Sequence, residues 1–308
     1  MASQYLQPIN RHLSDPLKRQ LRQFWRTWKV YKQNKFGVIG IVILGVLLFL
    51  AFFGSYLTPY DPYEWDLSSR SQSPSSTHPL GTNNKGQDML AVMFAGLKIS
   101  LQMGILAGSL TVIIGTILGV SSAYLGGWPD RIIMRISEIV LIIPALPLML
   151  LLSSIQFAVY GKPMDWKIIA FVYVAVFWPV STRLIRGQVL TLRELTFITS
   201  AKASGATDYY IIRKHLLPNV FPLMLAMIIA SMRQAILYEA FLSFLGLGDR
   251  ITWSLGSMLR QAQDQFAFAL NYYWLIYPPA IAIALTTLSF AFIAMALDEI
   301  VNPRLRKR

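Results

Sequence analysis

The chain has 308 residues, 55% of them hydrophobic and only 14% charged, with no cysteine and a net charge of +13. A soluble domain carries about 25% charged residues, so this composition assigns the chain to a membrane. It excludes disorder, a disulfide scaffold and any thiolate metal site. In a membrane protein a basic excess is explained first by loops on one side of the bilayer, and no nucleic-acid partner is expected.

A basic tail, residues 1–35, precedes the first uncharged run, Phe36 to Leu57. A span needs about 20 apolar residues as helix. This run is too long, and too far from the start, for a cleaved signal peptide, so it reads as a retained helix. A loop at 58–97 follows, rich in proline, serine and acidic residues, among them Pro59, Asp61, Pro62, Glu64 and Asp66. The second span reads Ile99 to Tyr124. The third starts near Ile132 and is uncharged from Ile139 to Tyr160. The fourth is Ile168 to Thr182, the fifth about Leu217 to Leu245, and the sixth begins near Trp274 within the uncharged run Gln265 to Leu297. A loop at 183–216 joins spans four and five, a second long loop covers 246–273, and a short basic tail fills 298–308. The fold expected is an all-α integral membrane protein of six transmembrane helices, with five in a core at 98–297.

Six spans place both termini on one side. Lys and Arg then divide 20 against 7, with Arg233 inside a span. By the positive-inside rule the termini and the 183–216 loop are cytoplasmic, and the loop at 58–97 is extracytoplasmic.

Motifs for chemistry are scarce. His12, His78 and His215 have no zinc-helix spacing. Gly81-Thr82-Asn83-Asn84-Lys85-Gly86 begins like a phosphate-binding loop, but Gln87 and Asp88 stand where Lys and Ser/Thr are required. Gly246-Leu247-Gly248-Asp249 resembles an intramembrane aspartyl protease motif without a second deep Asp to share a proton. A glycine-rich helix exit is the simpler reading. Three charges fall inside spans. Glu138 has Arg135 three residues before it, an adequate interfacial pair. Arg233 and Glu239 are six residues apart, about 600° of helix rotation, and project to different faces. For these two, a translocation pathway or subunit interface and an interhelical tie within the bundle both stay open. Prolines at 144, 147, 179, 222, 278 and 279 mark the spans as breakable.

The 183–216 loop is the most informative segment. Leu195 to Ser204 can form a short helix, Gly205 suits the left-handed residue that ends one, and Asp208 to Lys214 can start another piece running to Pro218. Thr199-Ser200-Ala201-Lys202-Ala203-Ser204-Gly205, nine residues, then His215-Leu216-Leu217-Pro218-Asn219, resembles the coupling motif of ABC importer permeases, E-A-A-x-x-x-G, nine residues, I-x-L-P. Ala201, Gly205, Leu217 and Pro218 match; Thr199 stands for the Glu and Ser200 for the first Ala. His215-x-Leu217-Pro218-Asn219 is similar to the oligopeptide/dipeptide/nickel class. So are Phe24-Trp25-Arg26 through Lys35, Tyr60-Asp61-Pro62, His78-Pro79-Leu80-Gly81-Thr82 with Gly86-Gln87-Asp88, Gly96 and Ser100, Glu239-Ala240 through Gly248, Trp253 with Gly256 and Met258, and Asn302-Pro303-Arg304-Leu305, where Asp-Pro-Arg is more usual.

The resemblance implies a type I permease-like bundle in a prokaryotic cell membrane. It implies a second, different permease subunit, two ATPase subunits carrying the ATP and Mg, and an extracytoplasmic solute-binding protein. This chain would itself bind no cofactor or metal and would not be an enzyme. The segment with Thr199, Ser200, Ala201, Lys202 and Gly205, followed by His215, Leu217 and Pro218, would dock in an ATPase groove. Di- or oligopeptides are the expected cargo, nickel or another small solute the alternative. An ion-coupled secondary transporter is a more remote reading, because its acidic coupling site would have to come from Glu138 or Glu239.

Overall fold

The computed structural model describes residues 31–249 and 251–301. Most of the N-terminal basic tail with Phe24-Trp25-Arg26, together with Arg250 and the ending Asn302-Pro303-Arg304-Leu305, lies outside the described residues. No strand occurs among the described residues. The helices are α1 (Lys35–Phe53), α2 (Met89–Leu125), α3 (Gly127–Ile142), α4 (Ala145–Tyr160), α5 (Trp166–Arg193), α6 (Thr196–Ala203), α7 (Asp208–Ile211), α8 (Leu217–Phe244), α9 (Leu255–Asp264) and α10 (Tyr273–Val301). Five are long and apolar enough to cross a membrane, and the count reaches six where the bent pair α3–α4 is taken as one broken span.

The helix that contains the second span starts at Met89, ten residues before the expected Ile99. Lys98 interrupted the uncharged run, but its side chain is exposed and the helix passes beneath it. The start is set by Asp88, whose carboxylate accepts the Ala91 N–H at 2.9 Å as an N-cap. The third span is not one straight helix. It breaks at Ile143-Pro144 with a bend of 89°. Pro144 has no N–H to continue the ladder, and it forces Ile143 into extended backbone, φ −82° and ψ 126°. Pro144 then starts α4, its carbonyl accepting from Leu148 N at 3.1 Å. The helix of the fourth span runs on to Arg193, so the first eleven residues expected in the 183–216 loop are helical. The long loop at 246–273 contains the amphipathic helix α9, opened by a Ser254–Ser257 capping box, with Leu255, Gly256, Met258 and Ala262 buried against the bundle.

The bundle is built around α2, and its small residues explain why. Without a hydrophobic driving force inside lipid, helices associate where backbones approach closely. Gly104 and Gly108 face α8, where an added Cβ would lie 2.6 Å from the Ile236 side chain and 2.6 Å from Met232 N. One turn and more further on, Gly115 and Gly119 face α5, at 2.3 Å from Ser181 Cβ and 2.7 Å from the Thr182 carbonyl oxygen. α1 packs mainly on α10, Gly40 against the Ser289 backbone.

The segment between α1 and α2 is an ordered cap. Gly86, at φ +76°, crosses Asp66 so closely that a Cβ would be 1.6 Å from its carbonyl oxygen. Pro62 O accepts from Gln87 Nε2 at 2.8 Å and Trp253 Nε1 at 3.0 Å, and Trp274 Nε1 donates to Thr82 O at 3.1 Å. His78 Nδ1 meets Asp88 Oδ1 at 3.0 Å beneath the cap. With Asn83 Nδ2 donating to Gln261 Oε1 at 3.2 Å, these bonds join the cap to α2, α9 and α10.

Candidate functional site

At the bundle end opposite the cap, α5 and α8 are joined by a helix–glycine–helix unit. Leu195 precedes α6 as an extended N-cap without a side-chain hydrogen bond. The far end is closed by a complete Schellman pair. Gly205 N–H donates to Lys202 O at 3.0 Å and Ala206 N–H to Ala201 O at 3.1 Å, with Gly205 at φ +82°. Thr207 then caps α7, its Oγ1 accepting from Tyr210 N at 3.3 Å. From Asp208 the chain is helical without interruption, through a π-turn at Ile212–Leu216, into α8. Pro218 follows directly on this π-turn, where α8 begins.

Thr199, Ser200, Lys202, Gly205, Leu217 and Pro218 are exposed, and Ala201 and His215 are half-buried. Thr199 Oγ1 turns back to Thr196 O at 3.0 Å. His215 lies between Phe197 and Tyr210, ring centroids 5.8 and 5.6 Å away. The structure adds the anchors that motif reading missed. Ile198, Ile211 and Leu216 are buried in one cluster with Ile185, Val189 and Leu192 of α5 and Val120 of α2. Tyr124 OH donates to Asp208 Oδ1 at 2.6 Å, and Arg193 Nη1 to Ala123 O at 2.8 Å. The signal available in sequence was branched aliphatics, Ile198 and the Ile211-Ile212 pair, inside a largely polar stretch. The exposed aromatics Phe197, Tyr209 and Tyr210 carry no periodic signal.

Glu239 and Arg233 have different surroundings. Glu239 is 1% exposed. Ser243 Oγ donates to its Oε1 at 2.7 Å and Ser100 Oγ to its Oε2 at 3.3 Å, while Ser100 Oγ accepts from Leu255 N at 3.1 Å. The carboxylate therefore ties α8 to α2 and, through Ser100, to α9, inside the chain. Arg233 points outward and meets no carboxylate among the described residues. Glu138 pairs with Arg135 at 3.1 Å and lies 4.0 Å from Arg183.

The two resemblances to enzyme motifs have structural explanations. In the Gly81–Gly86 turn the amides of Lys85 and Gln87 both donate to Asn83 Oδ1, at 2.9 and 3.0 Å, so they do not cradle a phosphate. Gly246 leaves α8 at φ +84°, and Asp249 caps the following turn by accepting from Ile251 N at 2.8 Å and Thr252 Oγ1 at 2.6 Å.

Comparison with known proteins agrees with this architecture. Residues 111–307 match the family described as binding-protein-dependent transport system inner membrane component, and residues 22–74 match the N-terminal TM domain of oligopeptide transport permease C. The chain is 34% identical to the glutathione transport system permease protein GsiD of Pectobacterium atrosepticum, over 82% of this chain and 81% of that one. It is 31% identical to the dipeptide transport system permease protein DppC of Bacillus subtilis, over 82% and 77% of the two chains. To the oligopeptide transport system permease protein OppC of the same organism it is 33% identical, over 80% and 79%. Among solved structures, an inward-facing MetNI methionine ABC transporter chain shares the fold, with TM-score 0.54 and 21% identity over 71% of this chain and 98% of that one. The chain belongs to the binding-protein-dependent transport system inner membrane components, as a multi-pass permease subunit of an ABC importer.

Proposed function

We propose that this permease carries di- or oligopeptides, forming half of the pathway with a second, different permease above two ATPase subunits that bind the ATP and Mg. The named relatives serve peptide, dipeptide and glutathione systems, which supports peptide cargo over nickel. An extracytoplasmic binding protein delivers the cargo to the capped end. The Lys and Arg distribution supports cytoplasmic termini, with α6 facing the ATPases.

The observation that carries the coupling role is the build of the α6–Gly205–α7 unit. An exposed eight-residue helix is held at one end by the Schellman pair and on one face by Ile198. Its far side continues as one helical rod from Asp208 to Phe244. ATPase closure pressing on α6 would pass through the Ile198–Ile211–Leu216 contact into α8, and tilt it as a body. Arg233 sits outward at mid-span of the same rod. A lone charge there costs about 2.5–3.5 kcal/mol in lipid, so we place it at the interface with the second permease or on the pathway.

The test is ATP-driven uptake of labelled peptides by the co-purified complex in proteoliposomes. Gly205→Pro removes the Gly205 N–H and cannot adopt φ +82°. It should abolish uptake while the chain still inserts. Normal uptake by that variant, or uptake driven by an ion gradient without ATP, would sink the assignment.

A further inference from the structure

Beside α3, at the same end of the bundle as α6, lies a cleft of about 670 Å³. Asp130, Arg131, Arg135 and Glu138 line it from α3, and Arg183 and Arg186 from α5. Its charges do not cancel. Asp130 is held by Arg186 through two bonds, Nε to Oδ1 at 2.6 Å and Nη2 to Oδ2 at 2.7 Å. Ser122 Oγ also donates to Asp130. Glu138 serves Arg135 at 3.1 Å and Arg183 only at 4.0 Å. Arg131 meets no carboxylate among the described residues, and its guanidinium lies 6.0 Å from the Trp128 ring centroid. Four guanidiniums thus face two carboxylates, and two positive charges are left over in a concave, open space.

The neighbouring surface adds a second property. Arg131, Arg135 and Glu138 follow one stripe of α3. Ile132, Ile136 and Ile139 follow the stripe one residue on, about 100° around the helix. These isoleucines are 50%, 48% and 56% exposed. An anion in the cleft would therefore have an apolar track directly beside it. Trp128, 72% exposed at the helix start, suits a membrane–water boundary. The 89° break at Pro144 gives α3 a direction different from that of α4. A basic pocket between helices with an adjoining apolar stripe fits a lipid whose head is anionic and whose tails run along the protein.

We infer that this cleft holds the phosphodiester head of an anionic lipid, with an acyl chain laid along Ile132, Ile136 and Ile139. That the lipid comes from the cytoplasmic leaflet rests on the orientation proposed above. The occupancy itself does not depend on ATP or on cargo. Such a lipid would fix α3 relative to α5 next to the coupling unit, because its phosphate bridges guanidiniums on both helices.

The experiment is native mass spectrometry of the co-purified complex after exchange into phosphatidylglycerol or phosphatidylcholine. The variants are Arg131→Gln with Arg183→Gln, which leave the Asp130–Arg186 bonds in place, and Lys98→Gln with Lys167→Gln as a control pair at the opposite end. Elution and subunit content identify a variant that fails to fold. We expect the complex to retain phosphatidylglycerol over phosphatidylcholine. The double arginine variant should bind it about 30-fold more weakly, at the usual contribution of a basic side chain near an anionic surface. The control pair should not change retention. Equal retention of both lipids, or unchanged retention in the arginine variant, overturns the inference. Complete displacement by millimolar inorganic phosphate overturns the lipid source and assigns the cleft to a soluble anion. A complex that transports peptide yet retains no anionic lipid overturns this inference alone, and one that retains the lipid without ATP-driven uptake overturns the importer role alone.

Discussion

Gly205 offers a perturbation whose size can be worked from the backbone. Its φ of +82° lies in the left-handed region, and a Cβ added there meets nothing within 4 Å. Substitution therefore costs conformational energy without a clash. For an ordinary L-residue that cost is about 1–2 kcal/mol. Asn is tolerated better, since it is the usual second choice at this cap position, and a β-branched residue is worse. An isolated eight-residue helix is marginal in water, so the closed Schellman end contributes much of what keeps α6 formed. A penalty of about 1–2 kcal/mol lowers the ratio of correctly presented to misplaced α6 about 5- to 30-fold. Peptide uptake and peptide-stimulated ATP hydrolysis in proteoliposomes should fall in the order Gly205, Asn, Ala, Val, while detergent-extracted yield stays level because the spans are untouched. If Gly205→Val couples as well as the parent, the left-handed cap does not position α6 and the reasoning fails.

Gly108→Leu should disassemble the α2–α8 contact, since the added atoms meet the Met232 backbone at 2.6 Å. Overpacking of about 1–3 kcal/mol or more should appear as earlier thermal unfolding in detergent. Glu239→Ala should destabilise by about 1–3 kcal/mol, because Ser243 and Ser100 lose a buried acceptor. Glu239→Gln should recover most of that in the same melt; equal melting of Ala, Gln and parent would deny the tie. Gly86→Ala puts a carbon 1.6 Å from the Asp66 carbonyl oxygen. It should open the cap to limited proteolysis between α1 and α2, and parent-like resistance would contradict the close crossing. Burial raises the Tyr63 pKa above the usual 10, with the Trp253 backbone hydrogen bond opposing. A raised acid favours its neutral form in the folded cap. That contribution is therefore complete below the unfolded tyrosine pKa and lost as pH rises through the folded one. Cap protection should weaken in strong alkali, above the ordinary tyrosine range, and Tyr63→Phe should reduce that alkaline loss.

Composition and uncharged runs were enough to establish a multi-pass helical membrane protein, because a bilayer demands long apolar helices and leaves few alternatives. The Thr199–Gly205 spacing and Pro218 placed the helix–glycine–helix unit, since glycine conformation and proline chemistry are local properties. Local signals did not reach further. The 246–273 stretch reads as loop because α9 is short and polar on one side, and only burial of Leu255 and Met258 against α2 and α10 makes it a fixed element. Pro144 announces a break, yet the 89° angle comes from how α3 packs on α2 and α5. Arg131, Arg135, Arg183 and Arg186 counted only toward sidedness while they were read along the chain. The residues are about fifty positions apart in sequence, and their meeting around one cleft depends on α3 returning beside α5. Glu239 likewise reads as an isolated charge in a span until Ser100, from another helix, comes within 3.3 Å. Periodicity and turn chemistry act over a few residues, whereas the partners of a buried or clustered charge are supplied by helices distant in sequence, and only their packing decides which charges meet.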